Sequence, residues 1–220
     1  MTDTHFKELQ KKNPFASLND LIYEELVHQI VCQELSAGDR INEAAIAKVL
    51  QVSRSPVSAA VGRLREQGFV EKDGGKMPRV TQVSRQEYFQ LMEARKAVEG
   101  QAAYLAAKRI TVQELAQLKE MLGEWKQDSF ESRYSQENSQ FHGLIVEASH
   151  NEVLLGFYRQ MQNKLLRYRY YAGARQETRE LLGELYPYHY AIYQALRNRN
   201  STQARQEIWE DIDQMCNRFW

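Results

Sequence analysis

Arg54, Ser55 and Ser58 lie close together in sequence, and Val57, Val61 and Leu64 recur beside them at helical spacing. A helix over this stretch sets the arginine and the two serines opposite an apolar stripe. Such a set can read base-pair edges. An arginine grips guanine O6 and N7 in bidentate fashion, and a serine hydroxyl donates or accepts. Arg40 precedes the group, and Lys76 and Arg79 follow it. These three suit contacts to phosphates, which fix a protein's position on a duplex without reading its sequence. From Arg40 to Val80 eight basic residues stand against four acidic ones, although the whole chain balances 29 basic with 29 acidic residues. A local basic excess on a neutral protein fits specific binding to double-stranded DNA better than a general nucleic-acid coat. A second concentration, Arg167, Tyr168, Arg169, Tyr170 and Tyr171, joins cations to rings. Those rings can line a pocket for an amphipathic ligand, or they can pack in a core or interface.

The elements that must carry these residues are legible in the periodicity and punctuation. Residues 1–14 read as a flexible arm. A helix is expected over 18–35, with Leu18, Leu21, Ile22, Leu26 and Ile30 near helical spacing. Ser36 to Asp39 break it. Asn42 caps the next helix, whose expected apolar face is Ala45, Ile46, Val49 and Leu50. After a turn at Gln51 and Val52, Ser53 caps a third helix. Pro56 is tolerated in its first turn because those N–H groups have no intrahelical partner. Gly68 ends that helix. Strands are expected over 69–72 and 79–83 around a hairpin turn at Asp73-Gly74-Gly75. From Ser84 onward the strand signal disappears. Helices are expected at about 85–108, 112–128, 131–149, 152–172, 178–198 and 202–219, with short loops that imply antiparallel packing. The fold class is therefore mainly α: a winged helix-turn-helix over 15–83, then an all-helical antiparallel bundle over 84–220.

Composition narrows the classes further. The hydrophobic fraction of 43% and the charged fraction of 26% are those of a globular protein. Two isolated cysteines, Cys32 and Cys216, offer neither a disulfide framework nor a zinc knuckle. No apolar run approaches the ~20 residues that span a bilayer, and the N-terminus lacks an apolar signal core. A cytoplasmic protein that does not engage membranes is expected.

The stretches "AGDRINEAAIAKVLQVSRSPV" and "RLREQGFVE" resemble the DNA-binding domain of the GntR family of bacterial transcription regulators. That family usually reads G-V-S-R-T-P-V-R-E-A where this chain has Gln51 to Ala60. Arg54 matches the family's DNA-contacting arginine. Ser58 and Gly62 stand where basic residues are common, which implies fewer charge-assisted contacts and a shallower salt dependence. The stretches "LMEARKAVEGQAAYLAA", "NSQFHGLIVEASHNEVL" and "YPYHYAIYQALRNRN" resemble the FCD effector domain carried by one GntR subfamily, the FadR-like branch.

The FCD resemblance implies a divalent metal inside the bundle, held by an aspartate, a histidine four residues later, and two further histidines. Here the corresponding residues are Asn138, His142, His189 and Asp211. The spacing of Asn138 and His142 places both on one helical face. Two imidazoles and a carboxylate suit zinc, nickel or manganese, and exchanging an imidazole for Asp211 shifts preference toward harder ions. The alternative is two core histidines hydrogen-bonded to Asn138 and Asp211 without an ion. Arg95 occupies the arginine of the family's first effector-domain motif. It can receive an organic-acid carboxylate or form a salt bridge with Glu99 one turn on. Arg95, Glu99, Arg167 and Tyr168 are the candidate effector contacts.

The expected function is regulation of transcription by a homodimer on a pseudo-palindromic DNA operator. A small-molecule effector, with or without a metal, would change the spacing of the two DNA-reading domains. Two other readings stay open: a DNA-binding dimer whose helical half no longer binds ligand, and a metal-dependent hydrolase using His142, His189 and Asp211. The former keeps the non-enzymatic assignment, and the latter leaves the winged domain idle.

Overall fold

The computed structural model describes residues 3–72, 74, 76–125, 134–173 and 178–219. The chain divides into two compact units, Met1–Val83 and Ser84–Trp220.

The first unit opens with α1 (Asp3–Lys12), followed by α2 (Leu18–Val31), α3 (Glu43–Leu50) and α4 (Arg54–Glu66). The flexible arm expected over 1–14 is thus replaced by a helix. Its Phe6 is buried, and α1 packs on α2 and α3. One aromatic side chain gives this segment enough apolar area to hold it down. The α2 helix starts where Ser17 accepts a hydrogen bond from the Asp20 N–H. It ends four residues earlier than its apolar pattern predicts, at a left-handed Gln33 with φ 60°. Leu21, Ile22, Tyr23, Leu26, Val27, Ile30 and Val31 are all buried, so α2 is the central helix of this unit. The Asn42 side chain caps α3 by accepting from the Ala45 N–H at 3.1 Å.

The expected inward face of α3 needs correction. Ala47 and Leu50 are buried, whereas Ala45 and Val49 are exposed and Ile46 is half-buried. A helix of two turns can be anchored by one close pair, and residues 45 and 49 lie off that axis. Ser53 occupies the N-cap of α4 as expected, but its side chain makes no capping hydrogen bond. The wing strands are short, β1 (Val70–Glu71) and β2 (Arg79–Val80), paired antiparallel with Val70 opposite Val80. Both are shorter than the expected 69–72 and 79–83: the register sets Lys72 opposite Pro78, which lacks an N–H for the ladder, and beyond Val80 the Thr81 N–H still donates to the Phe69 carbonyl at 3.0 Å. Of the expected turn, Gly74 has φ 54°, and Asp73 and Gly75 lie outside the described residues.

The second unit is α5 (Arg85–Arg109), α6 (Val112–Trp125), α7 (Tyr134–Glu147), α8 (Glu152–Gly173), α9 (Thr178–Arg197) and α10 (Ser201–Phe219). Ser84 caps α5 by accepting from the Glu87 N–H. The helical extensions expected over 126–128 and 131–133 lie outside the described residues. The 25-residue α5 is the spine of the bundle and packs against α7, α8, α9 and α10. Ala102, Ala103, Ala106 and Ala107 of α5 are completely buried. Their small side chains let neighbouring helices approach closely. The buried core of this unit also includes Leu118, Phe141, Ile145, Ile192, Leu196, Ile208 and Ile212.

Candidate functional site

The first candidate surface is built on α4. Val57, Ala60, Val61 and Leu64 anchor the helix, while Arg54, Ser55 and Ser58 are exposed on its first two turns. Burial of one face thus presents the other to solvent, with an arginine and two hydroxyls at the N-terminal end, as a base-reading helix requires. The helix is also held from the side. Arg63 pairs with Asp20 at 2.9 Å and lies over the Tyr23 ring, 3.9 Å from its centroid.

The phosphate-contact candidates converge beside it. Arg40 bridges to Arg79 across the edge of the wing. The Ile41 N–H donates to the Pro78 carbonyl at 2.8 Å, and the Val80 N–H donates to the Asp39 carbonyl at 2.9 Å. The segment before α3 therefore extends the two-stranded wing, and Arg40, Lys76 and Arg79 are all exposed on it. A pairing between residues 38–41 and the wing strand has no signature in local periodicity, so the sequence could not reveal it.

The second candidate site lies inside the bundle. Asn138 and His142 project from α7, His189 from α9, Asp211 from α10, and Arg95 and Glu99 from α5. All six are buried, with at most 3% of any residue exposed. Arg95 and Glu99 form a forked salt bridge, Nε to Oε1 at 2.7 Å and Nη2 to Oε2 at 3.0 Å. Arg95 Nη1 faces Met92 Sδ at 3.7 Å. Glu99 Oε2 also lies 2.9 Å from His142 Nδ1. Beyond the imidazole, His142 Nε2 is 3.3 Å from Asp211 Oδ2, and Asp211 Oδ1 is 3.7 Å from His189 Nε2. His189 Nε2 and Asn138 Oδ1 are hydrogen-bonded at 2.8 Å. The Phe141 ring closes one side, edge-on to His189 at 5.0 Å.

The charges of this cluster do not balance. With both imidazoles neutral, one guanidinium faces two carboxylates, leaving one negative charge in a buried setting that strongly disfavours it. Burial alone would raise the Glu99 carboxyl, but Arg95 and His142 outweigh it and hold the pKa at about 2. For Asp211, burial is likewise outweighed by His189, His142 and Arg95, and the carboxyl sits well below its ordinary range. Burial would lower Arg95, but Glu99 outweighs it and raises the guanidinium. Both acids are thus ionised.

The residues fit a divalent cation. His142, His189 and Asp211 offer ligand atoms within 4.8 Å of one another. Donor atoms around an ion at ~2.1 Å stand roughly 3 to 3.4 Å apart, and the contacts of 2.8, 3.3 and 3.7 Å bracket that spacing. Neither ring nitrogen of His142 nor Asp211 Oδ1 makes a well-directed hydrogen bond. The Glu99 approach to Nδ1 is therefore close but off-axis, an ion-pair contact rather than an aligned bond. It still favours a proton on Nδ1, and that tautomer leaves Nε2 and Asp211 Oδ2 as two acceptors needing a shared cation. A carboxylate behind a ligating histidine is the usual outer support of a metal site. The link from Glu99 to His142 crosses between helices and escaped sequence reasoning. Its one available sign was that Glu99 shares a helical face with Arg95.

Arg167 and Tyr168, on α8, stand near the start of α5 and apart from this cluster. The Tyr168 hydroxyl lies 3.2 Å from both the Ser84 carbonyl and Glu87 Oε2, and Lys164 pairs with Glu87 at 2.8 Å. Glu87 is eight residues before Arg95, or ~12 Å along the helix. Burial raises the Tyr168 phenol, reinforced by Glu87, and burial lowers the Arg167 guanidinium. The side chains of Arg169, Tyr170 and Tyr171 lie outside the described residues.

Comparison with known proteins identifies both units. Residues 18–80 match the bacterial regulatory proteins of the gntR family, and residues 90–214 match the FCD domain. The chain is similar to the transcriptional regulator LutR of Bacillus subtilis, 29% identical over 196 residues, covering 78% of this chain and 87% of that one. It is also similar to the regulator YdhC of the same organism, 26% identical over 202 residues, covering 88% and 87%. Among solved structures, E. coli McbR/YncC shares the fold with a TM-score of 0.77 at 22% identity, covering 93% of this chain and 98% of that chain. No helix among the described residues is long and apolar enough to cross a membrane. The chain belongs to the GntR family of bacterial transcription regulators, in the branch that joins a winged helix-turn-helix to an FCD effector domain.

Proposed function

We propose that this protein is a cytoplasmic, homodimeric regulator whose affinity for its DNA operator is set by occupancy of the buried α5–α7–α9–α10 cluster. Arg54, Ser55 and Ser58 read bases from the major groove, and Arg40, Lys76 and Arg79 fix the register on phosphates. The observation that carries the reading is the exposure of Arg54, Ser55 and Ser58 on a helix whose opposite face is anchored. Two such helices related by a two-fold axis would meet two half-sites of an operator.

His142, His189 and Asp211, with the Asn138 carbonyl oxygen, would hold one zinc, nickel or manganese ion. Bound there, the ion supplies the missing positive charge and a coordination site for an organic-acid carboxylate. Arg95 supports the same effector class through Nη1, which Glu99 does not occupy. Arg167 and Tyr168 enter the proposal as effector contacts from α8. Occupancy would favour one packing of α5 against its neighbours and so bias the DNA-bound state. The protein is proposed not to be an enzyme. The ligand side chains are only 1–2% exposed, which suits a closed sensor better than a site where substrate and water must turn over.

Selection of bound duplexes from a random pool tests this reading, run on metal-free protein and again with zinc, nickel or manganese plus small carboxylates. Recovery of a two-fold symmetric sequence whose retention depends on these additions supports it. A pool that stays random under every condition refutes the DNA reading. A symmetric sequence indifferent to every addition refutes the sensor reading alone.

A further inference from the structure

Gly62 leaves a depression between the recognition helix and the wing. Its wall includes Ser58 and Arg65 from α4, Lys72 from the wing, and Glu43 from α3. A Cβ placed on Gly62 would meet nothing within 4 Å, so the floor is bare. Arg54, Ser58, Gly62 and Arg65 follow one another along a single helical stripe. Side chains on a helix lean toward its N-terminus, which carries Arg65 back over Gly62.

The two arginines near the end of α4 differ in what they are free to do. Arg63 is held by Asp20 and by the Tyr23 ring. Arg65 and Lys72 are exposed, and neither forms an ion pair among the described residues. Two such cations on one concave wall, continuous with the base-reading stripe, raise the local potential where a duplex would lie.

We propose that this depression seats one backbone phosphate of the bound duplex, clamped between Arg65 of the recognition helix and Lys72 of the wing. The inference rests on the DNA-binding reading above. The seat adds affinity without sequence preference and moves cationic charge onto a stripe where Ser58 and Gly62 carry none. Glu43 opposes the phosphate and weakens the clamp.

The test uses the full-length protein, a duplex recovered by selection, and an unrelated duplex of the same length. Affinity is measured by fluorescence anisotropy across a series of salt concentrations. Arg65→Ala and Lys72→Ala are each expected to lower the slope of log affinity against log salt by about one, and both duplexes should weaken about equally. Glu43→Gln should tighten both duplexes. Gly62→Leu fills the floor without removing charge and should weaken both. Arg54→Ala should instead weaken the selected duplex more than the unrelated one. If Arg65→Ala and Lys72→Ala change neither affinity nor slope while Arg54→Ala weakens the selected duplex, the seat is overturned and the DNA reading stands. If the unaltered protein binds neither duplex, both fall. Free phosphate has the same chemistry. If inorganic phosphate at constant ionic strength raises the thermal midpoint only when Arg65 is present, and the DNA slopes stay unchanged, the seat belongs to a free anion and the proposal is overturned.

Discussion

Replacing Arg95 with methionine would expose the charge imbalance at the centre of the helical bundle. The side chains are similar in length, so the change chiefly removes the guanidinium that makes two hydrogen bonds to Glu99 at 2.7 and 3.0 Å. Both residues are 1% exposed, so no water replaces the lost partner. Breaking a buried ion pair by deleting one member costs about 3 to 5 kcal/mol, because the remaining charge stays buried. At ~4 °C per kcal/mol for a unit of this size, the midpoint of the helical unit should fall by roughly 12 to 20 °C. Thermal unfolding followed by circular dichroism measures it. Adding Glu99→Gln to the Arg95→Met protein removes the stranded carboxylate and should restore part of the loss, giving a coupling between the two changes. A midpoint shift worth less than about 1 kcal/mol for Arg95→Met, or a further loss on adding Glu99→Gln, would refute the reasoning that this pair neutralises the core.

Three other outcomes follow from the same geometry. A Cβ at Gly100 collides with the Trp209 indole, so Gly100→Ala should cost about 1 to 3 kcal/mol by overpacking the α5–α10 contact; equilibrium denaturation checks this, and Trp209→Ala in the same protein should relieve the overpacking part of that cost. The Glu99 carboxyl is held at about 2 against an ordinary 4.5, and Asp211 shifts the same way; both groups are depressed on folding, so their stabilisation is complete above about pH 4.5 and lost as the pH falls toward 2, which denaturation midpoints against pH will show as a flat region followed by an acid decline. Zinc, nickel or manganese should raise the midpoint of the metal-free protein, by ~4 kcal/mol of stability at a thousandfold excess over Kd, and His142→Ala or Asp211→Asn should abolish the rise; a thermal-shift titration in which these variants respond like the unaltered protein would contradict the ligand assignment.

The sequence was most legible where the determinant is local. Asn42 and Ser84 announce helix starts because each side chain caps its own first turn, and both do so in the structure. The GntR and FCD assignments also follow from contiguous motifs, which later matched over 18–80 and 90–214. Periodicity misplaced the inward face of α3 because Ala45 and Val49 share hydrophobicity with Ala47 and Leu50, and eight residues are too few for a moment to fix rotation. It missed α1 because one buried Phe6 in a charged segment leaves almost no periodic signal. The cluster is a mixed case. The positions of Asn138, His142, His189 and Asp211 came from motif alignment, and the structure brings them together. The carboxylate that reaches His142 from α5 was invisible, because a contact between helices over more than forty residues follows from packing alone.

The most direct measurement is an anisotropy titration of the selected duplex with the full-length protein and with its Arg54→Ala variant, at two salt concentrations. The account predicts that the unaltered protein binds with an affinity that falls as salt rises. It also predicts that Arg54→Ala loses ~1 to 3 kcal/mol, or about fivefold to more than a hundredfold, on that duplex. Equal affinities for the two proteins, or binding that ignores salt, would contradict the claim that this helix reads DNA.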